Sequence, residues 1–246
     1  MKKDISFCVS MSTIPGRIDN INEILNKLND QTLKPDKIFL NIPYNYKRFK
    51  NETINEEKIK KIYIKNLEIK RCNDYGPGTK IMGSLNEVKK FDCVILLDDD
   101  HLYDSNIFEI FIENYKIEQI NYSFYLNKIF NIKMGQCADG FLINVNLLDK
   151  IEIFYEKYVR NNKNMFLDDD LWLAIYLQKE KKSLIKNLNK IFYQKTNKKI
   201  VYSQNKNSKI DSLYLNEHKN GFLLNRRKLQ KIEYLKYIFK SKFIQI

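Results

Sequence analysis

Four short apolar runs punctuate the first hundred residues, ISFCVSM, DKIFLNI, LEIKRC and CVILL, and read as strands, with NINEILNKL between the first two carrying the spacing of an amphipathic helix. A further helix-patterned segment runs from Thr79 to Lys89, ahead of CVILL. Strands rich in Ile, Val and Phe that alternate with helices predict β-α-β units and a mostly parallel sheet. In such sheets ligands bind beyond the carboxyl ends of the strands, so the decisive residues are those that follow each run: STIPGR, NIP, NDYGPGTK and DDDHLY.

The second half is less regular. A helix is expected from Asn106 to Ile117, capped by Ser105 or Asp104, then strands at KIFNIKM and ADGFLINV, and helices over Asn146 to Tyr158 and Asp169 to Lys181. NKIFY and KIVY are further strand candidates in a Lys- and Asn-rich stretch. The tail RRKLQKIEYLKYIFKSKFIQI places Leu229, Ile232, Leu235, Ile238 and Phe239 at helical spacing among basic residues. It reads either as a helix packed on the domain or as an interfacial helix on anionic lipid.

Composition narrows the class. With 246 residues the chain fits one domain with a substantial core. Its 43 Lys and Arg against 30 Asp and Glu leave a net charge of +13, which favours anionic partners. The four cysteines form no C-x-x-C pair and read as reduced core residues of a cytosolic protein. The N-terminal run reads as a first strand, not a signal peptide, and no window has the roughly 20 apolar residues of a membrane span.

Two aspartate triplets carry the chemistry. Asp98, Asp99 and Asp100 follow an apolar strand, where alternation would send Asp98 and Asp100 one way and Asp99 the other. A D-x-D pair at a strand end suits a hard cation such as Mg²⁺ or Mn²⁺ that completes its shell with phosphates. Asp168, Asp169 and Asp170 precede LWLAIYL, where one aspartate serves as a helix cap and the others need another reason. Gly76, Pro77 and Gly78 form a tight turn into the helix near Thr79, whose N-terminus can attract anions. The third glycine of a dinucleotide fingerprint is missing there.

Together these stretches resemble GT-A glycosyltransferases, family 2-like, over roughly residues 5 to 180 and most closely from Asp74 to Asp100. The resemblance implies a GT-A, Rossmann-like α/β fold whose mostly parallel central sheet is flanked by helices, with residues 1–225 as one catalytic domain and 226–246 as the basic helix. It implies metal-dependent transfer of a sugar from a nucleotide-sugar, a UDP-sugar by preference, to an acceptor hydroxyl with inversion. Thr13, Pro15 and Arg17 would line the nucleoside and diphosphate, Asp74 would approach the base and Lys80 the phosphates. Asp98 or Asp99 would hold ribose, with Asp100 and Asp98 at the Mn²⁺ or Mg²⁺ and His218 as a late ligand. Asp170 would be the general base, with Asp169 the next candidate and Asp168 the cap. Asp139, Gly140 and Trp172 would meet the acceptor, although a turn at 139–140 and a core position for Trp172 are equally readable from the residues. The partners implied are the nucleotide-sugar and a glycan, lipid-linked or protein acceptor, in the cytoplasm, with a peripheral membrane position if the tail is interfacial. A sugar-phosphate nucleotidyltransferase lacks its glycine-rich basic loop here, and no RNA-recognition or zinc-knuckle motif supports a nucleic-acid-binding protein.

Overall fold

The structure, a computed structural model, describes residues 4–50, 52–196, 203–204, 209–210 and 222–243. Seven strands form one sheet: β1 Phe7–Ser12, β2 Lys37–Pro43, β3 Leu67–Cys72, β4 Cys93–Leu96, β5 Asn121–Ser123, β6 Phe141–Asn144 and β7 Ile185–Asn187. Their spatial order is β7-β5-β6-β4-β1-β2-β3, and β6 alone runs against its neighbours β4 and β5. Every other pairing is parallel. This is the α/β, mostly parallel, helix-flanked sheet that the GT-A resemblance implied.

Strand alternation builds the two faces. Phe7, Val9 and Met11 of β1 join Cys93 and Ile95 of β4 in one core, under α1 (Ile21–Asn29) and α2 (Ile107–Ile117). Cys8, Val94 and Leu96 point the other way, into a core shared with α3 (Asp169–Ile175). Burial on both faces explains why β1 and β4 read as nearly continuous apolar runs. All four cysteines are buried free thiols.

Several local expectations are revised. KIFNIKM is not one strand but a hairpin, Leu126–Ile129 paired with Ile132–Gly135, whose turn holds Phe130 at φ 50°. NKIFY lies in a helix, α4 (Leu188–Thr196), and KIVY falls outside the described residues. The segment after Thr79 is two one-turn helices, Thr79–Met82 and Leu85–Val88, separated at Gly83. A single turn sums few peptide dipoles, so the helix-terminus argument for anion binding weakens at this loop. The helix from Ile107 is capped at Asn106 without a side-chain bond, so neither Ser105 nor Asp104 caps it.

The basic tail forms α5, Phe222–Phe243, and it packs on the domain. Its inner face buries Gln230, Glu233, Tyr234 and Tyr237. Tyr234 donates to Asn131 at 2.6 Å and Tyr237 to Glu180 at 2.8 Å, while Glu233 accepts from Asn162 at 2.6 Å and from Asn164 at 3.0 Å.

Candidate active site

The strand ends converge on an open cavity of about 570 Å³. Of the residues singled out in the sequence, Thr13, Arg17, Asp74, Lys80, Asp98, Asp99, Asp100, Asp169 and Asp170 line it. Its volume suits a drug-sized or nucleotide-sized ligand. The floor is polar because the segments that follow β1 and β4 bring Thr13, Arg17, Asp98, Asp99 and Asp100 there.

The first triplet divides differently from a simple alternation. The strand ends at Leu96, and Asp99 and Asp100 lie in a turn. Tyr103 holds that turn by accepting the Asp98 N–H at 3.1 Å. Asp99 and Asp100 therefore both face Arg17, with Nη1 at 2.6 Å from Asp99 Oδ1 and 3.2 Å from Asp100 Oδ2. Thr13 adds a hydrogen bond to Asp99 Oδ2 at 2.7 Å. Asp98 instead pairs through Oδ1 with Lys80. The expected grouping of Asp98 with Asp100 is thus replaced by Asp99 with Asp100. Asp99, only 4% exposed, is enclosed by these partners, whereas the Asp98 side chain is 30% exposed.

The countercharge that adjacent aspartates require comes from the chain itself. Burial opposes charge on Arg17 and Lys80, yet their aspartate partners outweigh it and hold both above their ordinary values. Burial pushes Asp100 up, but the hydrogen bond from His101 and the charge of Arg17 carry it below the usual carboxylate range. His101 Nδ1 sits 2.6 Å from Asp100 Oδ1, and this contact raises the imidazole against the opposing effect of burial. His101, which directly follows the triplet, is a structural member of the cluster.

At the second triplet the three aspartates have three roles. Asp168 caps α3, its Oδ1 accepting the Leu171 N–H at 3.2 Å. The same carboxylate accepts from Gln230 at 2.6 Å and from Arg226 at 3.4 Å, both on α5. Asp169 lies 2.9 Å from Lys80 Nζ. Asp170 accepts the Cys137 N–H at 3.2 Å and, among the described residues, has no cationic partner at hydrogen-bonding distance; burial first, and the charge of Asp169 second, push it well above its ordinary value. Lys80 is therefore the bridge between the two triplets.

That bridge is itself fixed from below. Ser10, fully buried, donates to the Lys80 carbonyl, and Asn41 Nδ2 donates to Ser10 Oγ and the Met11 carbonyl at 3.0 Å each and to the Lys80 carbonyl at 3.3 Å. Neither polar residue stands out in its apolar strand, so the sequence carried no signal for this network beyond a polar interruption. Asp74 braces the adjoining loop: its oxygens accept the Gly76 N–H at 2.8 Å and the Lys47 N–H at 2.7 Å. Gly76 has φ +64°, and a Cβ there would lie 2.4 Å from the Phe166 carbonyl oxygen, so glycine is required.

Four expected ligand contacts are not brought to the cavity. Trp172 is fully buried, directly beneath Gly78, and forms part of the core instead of a sugar platform. Asp139 is 3% exposed and Gly140 packs against Phe111, so this segment supports the cavity from behind, while Gln136 and Ala138 line it. Pro15 begins a two-turn 3-10 helix, Pro15–Asn20, and leaves the lining to Thr13, Ile14 and Arg17. His218 lies outside the described residues.

Tertiary structure adds residues with no local signature. Ser203 and Gln204 pair antiparallel with Leu102 and His101, and the Ile210 carbonyl accepts from Arg17 Nε at 2.8 Å. Lys209 and Arg226 join the lining with Arg48, giving the cavity a basic rim above an acidic floor.

Among solved structures, the chain is similar to S. aureus TarS, residues 1–349, in complex with UDP: 13% identity and a TM-score of 0.46, over 70% of this chain and 56% of that one. It is similar to the same TarS fragment with UDP-GlcNAc at 14% identity and a TM-score of 0.43, over 61% and 48%. A third likeness is to 4-diphosphocytidyl-2C-methyl-D-erythritol synthase from Anaerococcus prevotii, at 13% identity and a TM-score of 0.49, over 74% and 86%. The chain spans about half the length of these TarS structures. No protein-family model and no curated protein matches it.

Proposed function

We propose that the protein is a glycosyltransferase that moves a sugar from a nucleoside-diphosphate sugar, by preference a UDP-sugar, to an acceptor hydroxyl with inversion. The observation that carries this reading is the convergence of both aspartate triplets on Lys80: one cavity holds cations suited to a diphosphate and, beside them, a carboxylate whose proton affinity is raised. The acceptor oxygen attacks the anomeric carbon while Asp170 takes its proton. The bond to the diphosphate breaks, and its electron pair leaves on the diphosphate oxygen, where Lys80 and Arg17 meet the developing charge. Asp169 keeps Lys80 in place instead of acting as the base.

The fit of a divalent cation can be read from the donors. Magnesium and manganese prefer carboxylate oxygens and need only one or two when substrate phosphates complete the shell. Lys80 meets only Oδ1 of Asp98, whose side chain is 30% exposed, so Asp98 would hold the ion. Asp100 turns Oδ2 to Arg17 and Oδ1 to His101, and it would join only if one of them gave way. Among the described residues, the group whose three ligand atoms lie within 4.8 Å of one another is Cys137, Asp169 and Asp170. That group suits a hard cation poorly, because the buried Cys137 thiol is pushed up and stays protonated, and Asp169 already faces Lys80. A bound ion would neutralise part of the charge on the departing diphosphate.

Calorimetry of UDP binding with and without manganese tests the donor side. Measurable binding without metal, strengthened when manganese is added, is expected. Equal affinity in both removes the cation from the proposal, and no UDP binding under either condition removes the donor. Release of pyrophosphate from a nucleoside triphosphate and a sugar phosphate would replace this reading by nucleotidyl transfer.

A further inference from the structure

The outer face of α5 lines no part of the cavity, and it touches the rest of the protein mainly through its lysine edges, where Lys240 Nζ donates to the Lys157 carbonyl at 3.1 Å, while Lys236 Nζ lies 2.9 Å from Glu233 of the same helix. Ile232, Leu235 and Phe239 are 36%, 54% and 67% exposed, and their i, i+3, i+7 spacing sets them in one stripe opposite the buried Gln230 and Tyr237. At about 100° per residue, Lys231 and Lys242 fall along one edge of this stripe, and Lys236 and Lys240 along the other. Lys228 lies at its leading end, and all five lysines are exposed. Glu233, the one acidic residue between 222 and 243, faces inward at 2% exposure. The neighbouring hairpin turn adds Phe130, 49% exposed, stacked on Tyr234 with its ring 6.0 Å from Lys231 Nζ.

An apolar stripe rimmed on both sides by lysines matches a surface that is apolar within and anionic at its boundary. An acidic protein groove would pair with the lysines but has no need of a linear stripe of exposed Ile, Leu and Phe. Among the described residues no helix is long and apolar enough to cross a membrane, so the match is to a surface position. We propose that the outer face of α5 docks on an anionic lipid bilayer, with Ile232, Leu235 and Phe239 entering the headgroup boundary and the flanking lysines pairing with acidic headgroups. The inner-face hydrogen bonds to Asn131, Asn162, Asn164 and Glu180 hold the helix in place, so docking requires no unfolding. The proposal stands apart from the glycosyl-transfer reading.

Co-sedimentation of the full chain with phosphatidylcholine vesicles, with and without phosphatidylglycerol, tests it. Binding only to the anionic vesicles, weakened by salt, is expected. The paired substitution Leu235→Ser with Phe239→Ser should lower that binding about tenfold or more, and so should Lys228→Glu with Lys242→Glu. The charge pair alters only exposed side chains, which keeps the test valid should the apolar pair fold poorly, and thermal melting verifies both. Wild-type vesicle binding by either folded variant overturns the proposal, as does equal binding to neutral vesicles. A dimer in light scattering that Leu235→Ser with Phe239→Ser converts to monomer would assign the face to a second copy of the chain instead.

Discussion

The two Asp-Asp-Asp stretches are identical in sequence and opposite in circumstance. The first emerges from a buried strand into a turn, and each carboxylate finds a cationic side chain: Lys80 for Asp98, and Arg17 for Asp99 and Asp100, with His101 added at Asp100. The second opens a helix, where the backbone, Gln230 and Arg226 take Asp168, Lys80 takes Asp169, and Asp170 is left with a backbone N–H and a raised proton affinity. The difference teaches that identical carboxylates take opposite proton affinities from their surroundings: His101 and Arg17 carry Asp100 below its ordinary value, while burial and the charge of Asp169 push Asp170 above it.

The largest expected effect breaks the second triplet. Asp170→Asn should lower sugar transfer by about 10²–10⁴-fold, measured by UDP release, while calorimetric donor binding is retained. The same change should raise the melting temperature at neutral pH. A carboxylate whose folded pKa is raised stabilises the fold fully below its unfolded pKa and loses that contribution as pH rises, and an amide keeps an acceptor for the Cys137 N–H without the buried charge. A variant that transfers sugar normally would reduce Asp170 to a structural residue.

Next in size is the bridge itself. Lys80→Met leaves Asp98 and Asp169 facing each other without their shared cation, and unfolding in denaturant should show a loss of roughly 3–5 kcal/mol. Because Lys80 has only 5% of its side chain exposed, solvent screens this loss little. An unchanged midpoint would show that the two triplets are independent.

A pH profile of transfer sharpens the same contrast. Asp170 must lose its proton to act, so activity should climb with pH through a value above the ordinary carboxylate range, and this limb should vanish in Asp170→Asn. At the first triplet, Arg17→Lys keeps the charge but loses the fork that meets Asp99 and Asp100 together, and UDP affinity should fall about tenfold. The smallest effect belongs to the cap: Asp168→Ala should cost about 1 kcal/mol in thermal or denaturant melts, with the added loss of the Gln230 contact from α5.

Local pattern made much of this molecule legible. The apolar runs that became β1 to β4, the helix of Ile21–Asn29 and the cap at Asp168 follow from periodicity and capping, which act within a few residues. The same rules placed both triplets at element ends. They erred at NKIFY and KIFNIKM, where short apolar runs fit helix, strand or hairpin alike and packing decides.

The sequence by itself determined the α/β class, the strand ends that form the site and the candidate carboxylates on them. Only the tertiary structure decided which cation answers which carboxylate. Arg17 and Asp99 are separated by 82 positions, and Gln230 and Asp168 by 62, so no local spacing encodes either pair. Their choice depends on where the turn after β4 aims its side chains and on where α5 comes to rest. Burial and spatial partners then set the proton affinities, because the cost of a charge depends on everything that surrounds it, whether adjacent in the chain, as Asp169 is to Asp170, or distant, as Arg17 is from Asp100.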